Sequence, residues 1–207
     1  AQLVVLRRHG LPTEPEIVVW QVAESNDMME ATAFDIWEKS GRTALFGRAM
    51  LGYPAWQHRS PTLRLYEALS KEPEPLGGRF RDAGGDEHEI RFLMLPGPAQ
   101  SPRDNGGWPI MMEAFREGAA LCREHDIELV MLFIPMKFHV MSARTELNAR
   151  TARATRELPA LDAADRLPAF LEPLCGELGV PFIDATRPLR ERAARGEIVY
   201  LPFDTHL

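Results

Sequence analysis

Four short apolar runs punctuate the chain. Residues 17–23 (IVVWQVA) and 127–134 (IELVMLFI) are rich in β-branched residues and nearly continuous. Strands buried on both faces of a parallel sheet read this way. Residues 180–183 (VPFI) form a third run, and residues 90–95 (IRFLML) a weaker fourth. Helical patterns lie between them. Over residues 110–125, Met111, Phe115, Ala119 and Cys122 fall on one stripe, with Glu113, Arg116 and Glu117 away from it. Residues 164–178 repeat the arrangement, with Gly179 placed as a C-terminal stop before the VPFI strand. Residues 186–195 read as another helix, closed by Gly196. Helix, short turn and buried strand form the second half of a βαβ unit. The expected class is therefore α/β: a three-layer α/β/α open parallel sheet of flavodoxin-like type.

Two regions depart from this alternation. Residues 41–105 are rich in Pro and Gly, with a helical island near 62–70, and exceed an ordinary βα connection. They are expected to be an insertion over one rim of the sheet, holding the weak fourth strand. Residues 142–165 have little apolar periodicity and read as a solvent-facing helix and a loop. A single domain spanning 1–207 accommodates all of this.

Composition narrows the function classes. With 24 Lys and Arg against 30 Asp and Glu, the net charge is −6. A nucleic-acid partner is not expected, because phosphate contacts need a basic face. No apolar run reaches the roughly 18 residues that span a bilayer. Cys122 and Cys175 lack metal-ligand spacing and read as buried, inert thiols. The run Asp86, Glu87, His88, Glu89 lies in a Gly-rich stretch and reads as a solvated turn. No Gly-rich phosphate loop is present, which disfavours a nucleotide-binding or flavodoxin role.

In open α/β sheets, ligands bind beyond the C-terminal ends of the strands. Polar residues follow three of the apolar segments. Glu24, Ser25, Asn26 and Asp27 follow the first strand; Pro135, Met136 and Lys137 follow the second. Pro202, Phe203, Asp204, Thr205 and His206 follow the short segment 198–201. An Asn can stabilise an oxyanion, and a His oriented by a carboxylate can act as general base toward a hydroxyl.

These blocks carry a resemblance. VVWQVAESNDMMEA resembles the SGNH/GDSL hydrolase block in which a strand ends in a Gly-x-Asn-Asp-like motif. GVPFIDATRPLRERAARGEIVYLPFDTHL resembles the final block of that superfamily, in the branch related to alginate O-acetyltransferase-like proteins. LVMLFIPMKFHVM resembles the strand-Pro-x-Lys element between them. The three occur in order over roughly residues 3–207. The resemblance implies that Asn26 donates to the oxyanion, His206 is the base and Asp204 orients it, with Asp27 structural. Lys137 reads first as a solvated strand-end charge, with contact to an acidic or carbohydrate ligand at the rim as the alternative.

Two departures stand out: Ser25 occupies the position where the family has Gly, and no Gly-Asp-Ser block or Gly-x-Ser-x-Gly elbow occurs in the chain. The chain is thus expected to be a fragment, incomplete at the N-terminus, with its serine upstream of Ala1. The implied activity is an ester hydrolase or O-acyltransferase on a small ester or carbohydrate, with no cofactor and little activity in the fragment itself. A non-catalytic carbohydrate-binding module of the same scaffold is the alternative. The resemblance leans toward an envelope or secreted role.

Overall fold

The computed structural model describes residues 2–24, 27–39, 74–92, 95, 102–156 and 166–202. The proposed site residues Asn26, Asp204 and His206, together with the helical island near 62–70, lie outside the described residues. What is described is mixed α/β, built on two small sheets.

The main sheet is parallel, in the order β1 (Ile17–Ala23), β4 (Glu128–Ile134), β6 (Phe182–Asp184). β1 and β4 pair in register from Ile17 opposite Glu128 to Ala23 opposite Ile134, so these two strands end on one rim. One face of the sheet is covered by two helices, α3 (Gly107–Glu124) and α6 (Arg166–Leu178). The stripe foreseen on α3 is buried: Met111, Phe115, Ala119 and Cys122 pack with Trp20, Val22, Met131 and Phe133. Trp20 meets Phe115 edge-on, with ring centroids 5.6 Å apart. Gly118 permits this approach, because a Cβ there would stand 2.5 Å from the indole. α6 adds Leu167, Leu171, Leu174 and Cys175 to the same core, and Cys175 touches the sulfur of Met131. Gly179 ends α6 with φ of 68°, and Gly196 follows α7 (Thr186–Ala194) with φ of 88°, as their positions anticipated. On the opposite sheet face, Ile17, Val19 and Ile183 are more than half exposed.

Around these elements, α1 (Gln2–Val5) and α2 (Asp27–Lys39) lie against α3. Gly107 of α3 lets the two backbones approach, since a Cβ there would collide with the carbonyl of Met28.

The weak fourth strand lies within the insertion, as expected, but with shifted bounds: it is β3 (Glu87–Arg91), overlapping the expected 90–95 only at Ile90 and Arg91. It pairs antiparallel with β2 (Gly77–Arg81) in a separate sheet completed by β5 (Thr145–Leu147). The region 142–165 likewise contains β5 and α5 (Ala149–Thr155) among its described residues. Asn148 caps α5 by accepting from the N–H of Thr151. A second hydrophobic cluster joins this sheet to α4 (Lys137–Met141) and α7 through Phe80, Ile90, Phe138, Met141, Ala193 and Tyr200. Phe92 packs edge-on against Phe138 at 5.2 Å. The described part of the insertion therefore supports the C-terminal rim of β4. No helix among the described residues is long and apolar enough to cross a membrane.

Candidate active site

The site is assembled where β1 and β4 end side by side. Glu24 follows β1 directly, and its N–H continues the ladder to the carbonyl of Ile134 at 3.0 Å. Two residues, Pro135 and Met136, bridge β4 to α4, whose first residue is Lys137. All of residues 135–141 are buried. This turn collects polar contacts from both blocks that the sequence singled out.

From the first block, Glu24 reaches into the turn. Its Oε2 accepts the main-chain N–H of Met136 at 2.7 Å and lies 2.9 Å from Nδ1 of His139. A carboxylate accepts, so Nδ1 carries the proton in this contact. The Glu24 and His139 side chains are only 14% and 6% exposed. Asp27 folds back on β1, accepting the N–H of Ala23 at 2.8 Å. Burial pushes the Asp27 carboxyl above its ordinary range, opposed by that N–H and assisted by the charge of Glu30. This contact is local and supports the structural role foreseen for Asp27. Asn26 lies between Glu24 and Asp27 in sequence, one residue from Asp27 and two from Glu24.

From the final block, the segment 198–202 crosses the same turn. Tyr200 is buried, and its hydroxyl donates to the carbonyl of Pro135 at 2.5 Å. Its phenol is held well above the usual range, first by burial and then by the negative charge of Glu24. Lys137 is 2% exposed, and its Nζ donates to the carbonyls of Leu201 at 2.6 Å and Pro202 at 2.8 Å. It is therefore not a solvated strand-end charge. The Pro202 carbonyl also accepts the N–H of Arg91 in β3 at 2.8 Å. Asp204 and His206 stand two and four positions further along.

Sequence reasoning assigned no role to Glu24, His139 or Tyr200. Their significance depends on β1 and β4 being neighbours, which two separate apolar runs do not reveal. The available signal was the polar residue immediately following each run. Among the described residues, a further polar cluster is engaged within the second sheet. In the β2–β3 hairpin, Glu87 pairs with Arg81 and Arg79, and His88 contacts Asp82 at 2.7 Å. Among the described residues, no group of three or more His, Cys, Asp or Glu could hold a metal ion. A cleft of about 340 Å³ lies between α1, α2 and α3, with Trp20, Val22 and Met111 among its apolar lining and Asp27, Glu30 and Glu117 among its polar lining.

Comparison of the chain with protein-family models, with curated proteins and with solved structures gives no match in any of the three.

Proposed function

We propose that this chain is the greater part of an SGNH-type three-layer α/β/α domain whose intact form transfers acyl groups as an ester hydrolase or O-acyltransferase. The observation that carries the proposal is the meeting of two sequence-distant blocks on one turn. Glu24, two residues before Asn26, bonds to Met136 and His139. Tyr200 and the carbonyls of Leu201 and Pro202, just before Asp204 and His206, bond to Pro135 and Lys137. Chain neighbours of the proposed oxyanion donor and base thus meet at the C-terminal rim of a parallel sheet, where such sheets bind ligands, and this supports the reading.

In the proposed chemistry, His206 removes the proton of a serine hydroxyl while Asp204 orients its ring. The serine oxygen attacks the ester carbonyl, and the Asn26 amide donates to the resulting oxyanion. Collapse expels the alcohol, which takes the proton from His206, and leaves an acyl-serine. Water or a sugar hydroxyl then accepts the acyl group by the reverse proton path. The serine would come from a Gly-Asp-Ser-like block outside these 207 residues.

The test uses the intact protein. A fluorophosphonate should label one serine, and p-nitrophenyl acetate should be hydrolysed with a kcat that His206→Ala lowers by about 10³-fold or more. Failure of an active-site-directed fluorophosphonate to label any serine, with no ester turnover, would contradict the proposal and favour a carbohydrate-binding module on the same rim.

A further inference from the structure

We infer that the cleft between α1, α2 and α3 binds a small organic cation: an amine or quaternary ammonium carried on an apolar or aromatic body. The inference stands apart from the acyl-transfer proposal, since it needs neither a serine nor a base.

The helix positions that line the cleft are those that ordinarily face a core. On α2 they are Asp27, Glu30, Ala31, Phe34 and Asp35, spaced i, i+3, i+4, i+7 and i+8. On α3 they are Ile110, Met111, Glu113, Ala114 and Glu117. A stripe at that spacing is the apolar face of a surface helix. Here it carries three carboxylates on α2 and two on α3, interleaved with apolar side chains. β1 contributes Trp20 and Val22, which are two residues apart and so share one face of the strand. Both are buried.

Alanine on each of the two stripes keeps the space open. Ala31 and Ala114 are half-buried against the main core, and a larger side chain at either would enter the cleft. The volume of about 340 Å³ lies at the lower end of small-molecule sites, roughly 300–1,000 Å³. Such sites combine an apolar lining with a few polar groups that fix orientation and specificity.

Charge selects the ligand. Among the described lining residues, five carboxylates accompany one basic side chain, Arg7, which pairs with Glu117. An anion would meet net repulsion there. A bare metal ion is no better suited, because no three His, Cys, Asp or Glu among the described residues are gathered to hold one. A cation on an apolar body uses both parts of the lining. The carboxylates attract its charge, while Trp20, Phe34 and Met111 supply apolar surface for the rest. Aromatic side chains add attraction for ammonium groups. The pairing of Arg7 with Glu117 is the same interaction made within the chain.

The experiment is isothermal titration calorimetry of the present chain at low salt, with three ligands of similar shape. They are cationic 2-phenylethylammonium, neutral 2-phenylethanol and anionic 3-phenylpropionate. The ammonium should bind one to one with a Kd of ~1 mM or tighter, about 10-fold or more tighter than the alcohol. The carboxylate should not bind measurably, and added salt should weaken the ammonium. Glu30→Gln/Glu113→Gln should lower affinity for the ammonium by about 10-fold and leave that for the alcohol unchanged. Ala114→Phe should fill the cleft and abolish binding while far-UV circular dichroism stays that of wild type. If Ala114→Phe does not fold, Ala31→Leu fills the cleft from the other helix and takes its place. Absence of saturable ammonium binding to wild type would overturn the inference. Equal affinity of wild type for the ammonium and the alcohol would also overturn it, as would undiminished binding in a folded cleft-filling variant.

Discussion

Glu24 and His139, 115 residues apart, share a contact of 2.9 Å between a carboxylate oxygen and a ring nitrogen, buried between the ends of β1 and β4. The same oxygen accepts the Met136 N–H. Removing the carboxylate leaves two buried donors without that acceptor. Glu24→Ala should therefore destabilise the chain by about 2–4 kcal/mol, read from urea unfolding. Glu24→Gln keeps one acceptor oxygen and should cost less. Equal stability of Glu24→Ala and wild type would show that the contact does not hold the rim.

Tyr200 gives an alkaline signature. Its phenol is harder to ionise folded than unfolded, because burial and Glu24 both disfavour the phenolate. The stabilisation this provides is complete below the ordinary tyrosine pKa near 10 and is lost as pH rises above it. Tyr200→Phe should cost on the order of 1 kcal/mol at pH 7 through the lost bond to Pro135. The variant should also lose stability less steeply than wild type above pH ~10. Parallel alkaline unfolding curves would contradict the placement of this ring.

Asp27 runs in the opposite sense to an ion-paired carboxylate. Its pKa is raised in the folded state, so its contribution is most favourable at low pH and diminishes as pH rises through the folded value. Asp27→Asn preserves an acceptor for the Ala23 N–H and removes the buried charge. The variant should melt above wild type at pH 7, with the difference shrinking toward pH ~3. A difference that grows on acidification would show that the carboxylate is stabilising.

The two cysteines should be silent in the native state. Both are buried, and burial raises both thiols, that of Cys175 to about 11 with added repulsion from Glu172. Native protein at pH 8 should react with Ellman's reagent only as fast as it unfolds, and both thiols should react at once in denaturant. Rapid native labelling would contradict the packing of α3 and α6 on the main sheet.

What the sequence disclosed follows from how strongly each element is patterned. α3 was legible because its apolar stripe repeats at helical spacing over eighteen residues that cover a sheet. β1 and β4 were legible as apolar runs, although their adjacency was not. The second sheet was obscured because GGRFR and EHEIR each bury few apolar side chains, chiefly Phe80 and Ile90, among charged ones that pair across the strands. At the site, Lys137 drew attention as a charge after a strand, yet its burial depends on a segment more than sixty residues away. Glu24 and His139 acquire meaning only from the strand register. The roles of Asn26, Asp204 and His206 rest on the resemblance of their motifs and on the convergence of their flanking anchors.

That convergence is the central claim, and proximity tests it most directly. The double variant Asn26→Cys/His206→Cys should be joined within one chain by a short bismaleimide, the buried native thiols staying unreacted. A control pairing Asn26→Cys with Glu177→Cys, an exposed position in α6 near the opposite rim, should not be joined. Efficient crosslinking of the first pair alone is the expected result. Crosslinking of neither pair in folded protein would place Asn26 and His206 apart and contradict a shared acyl-transfer site.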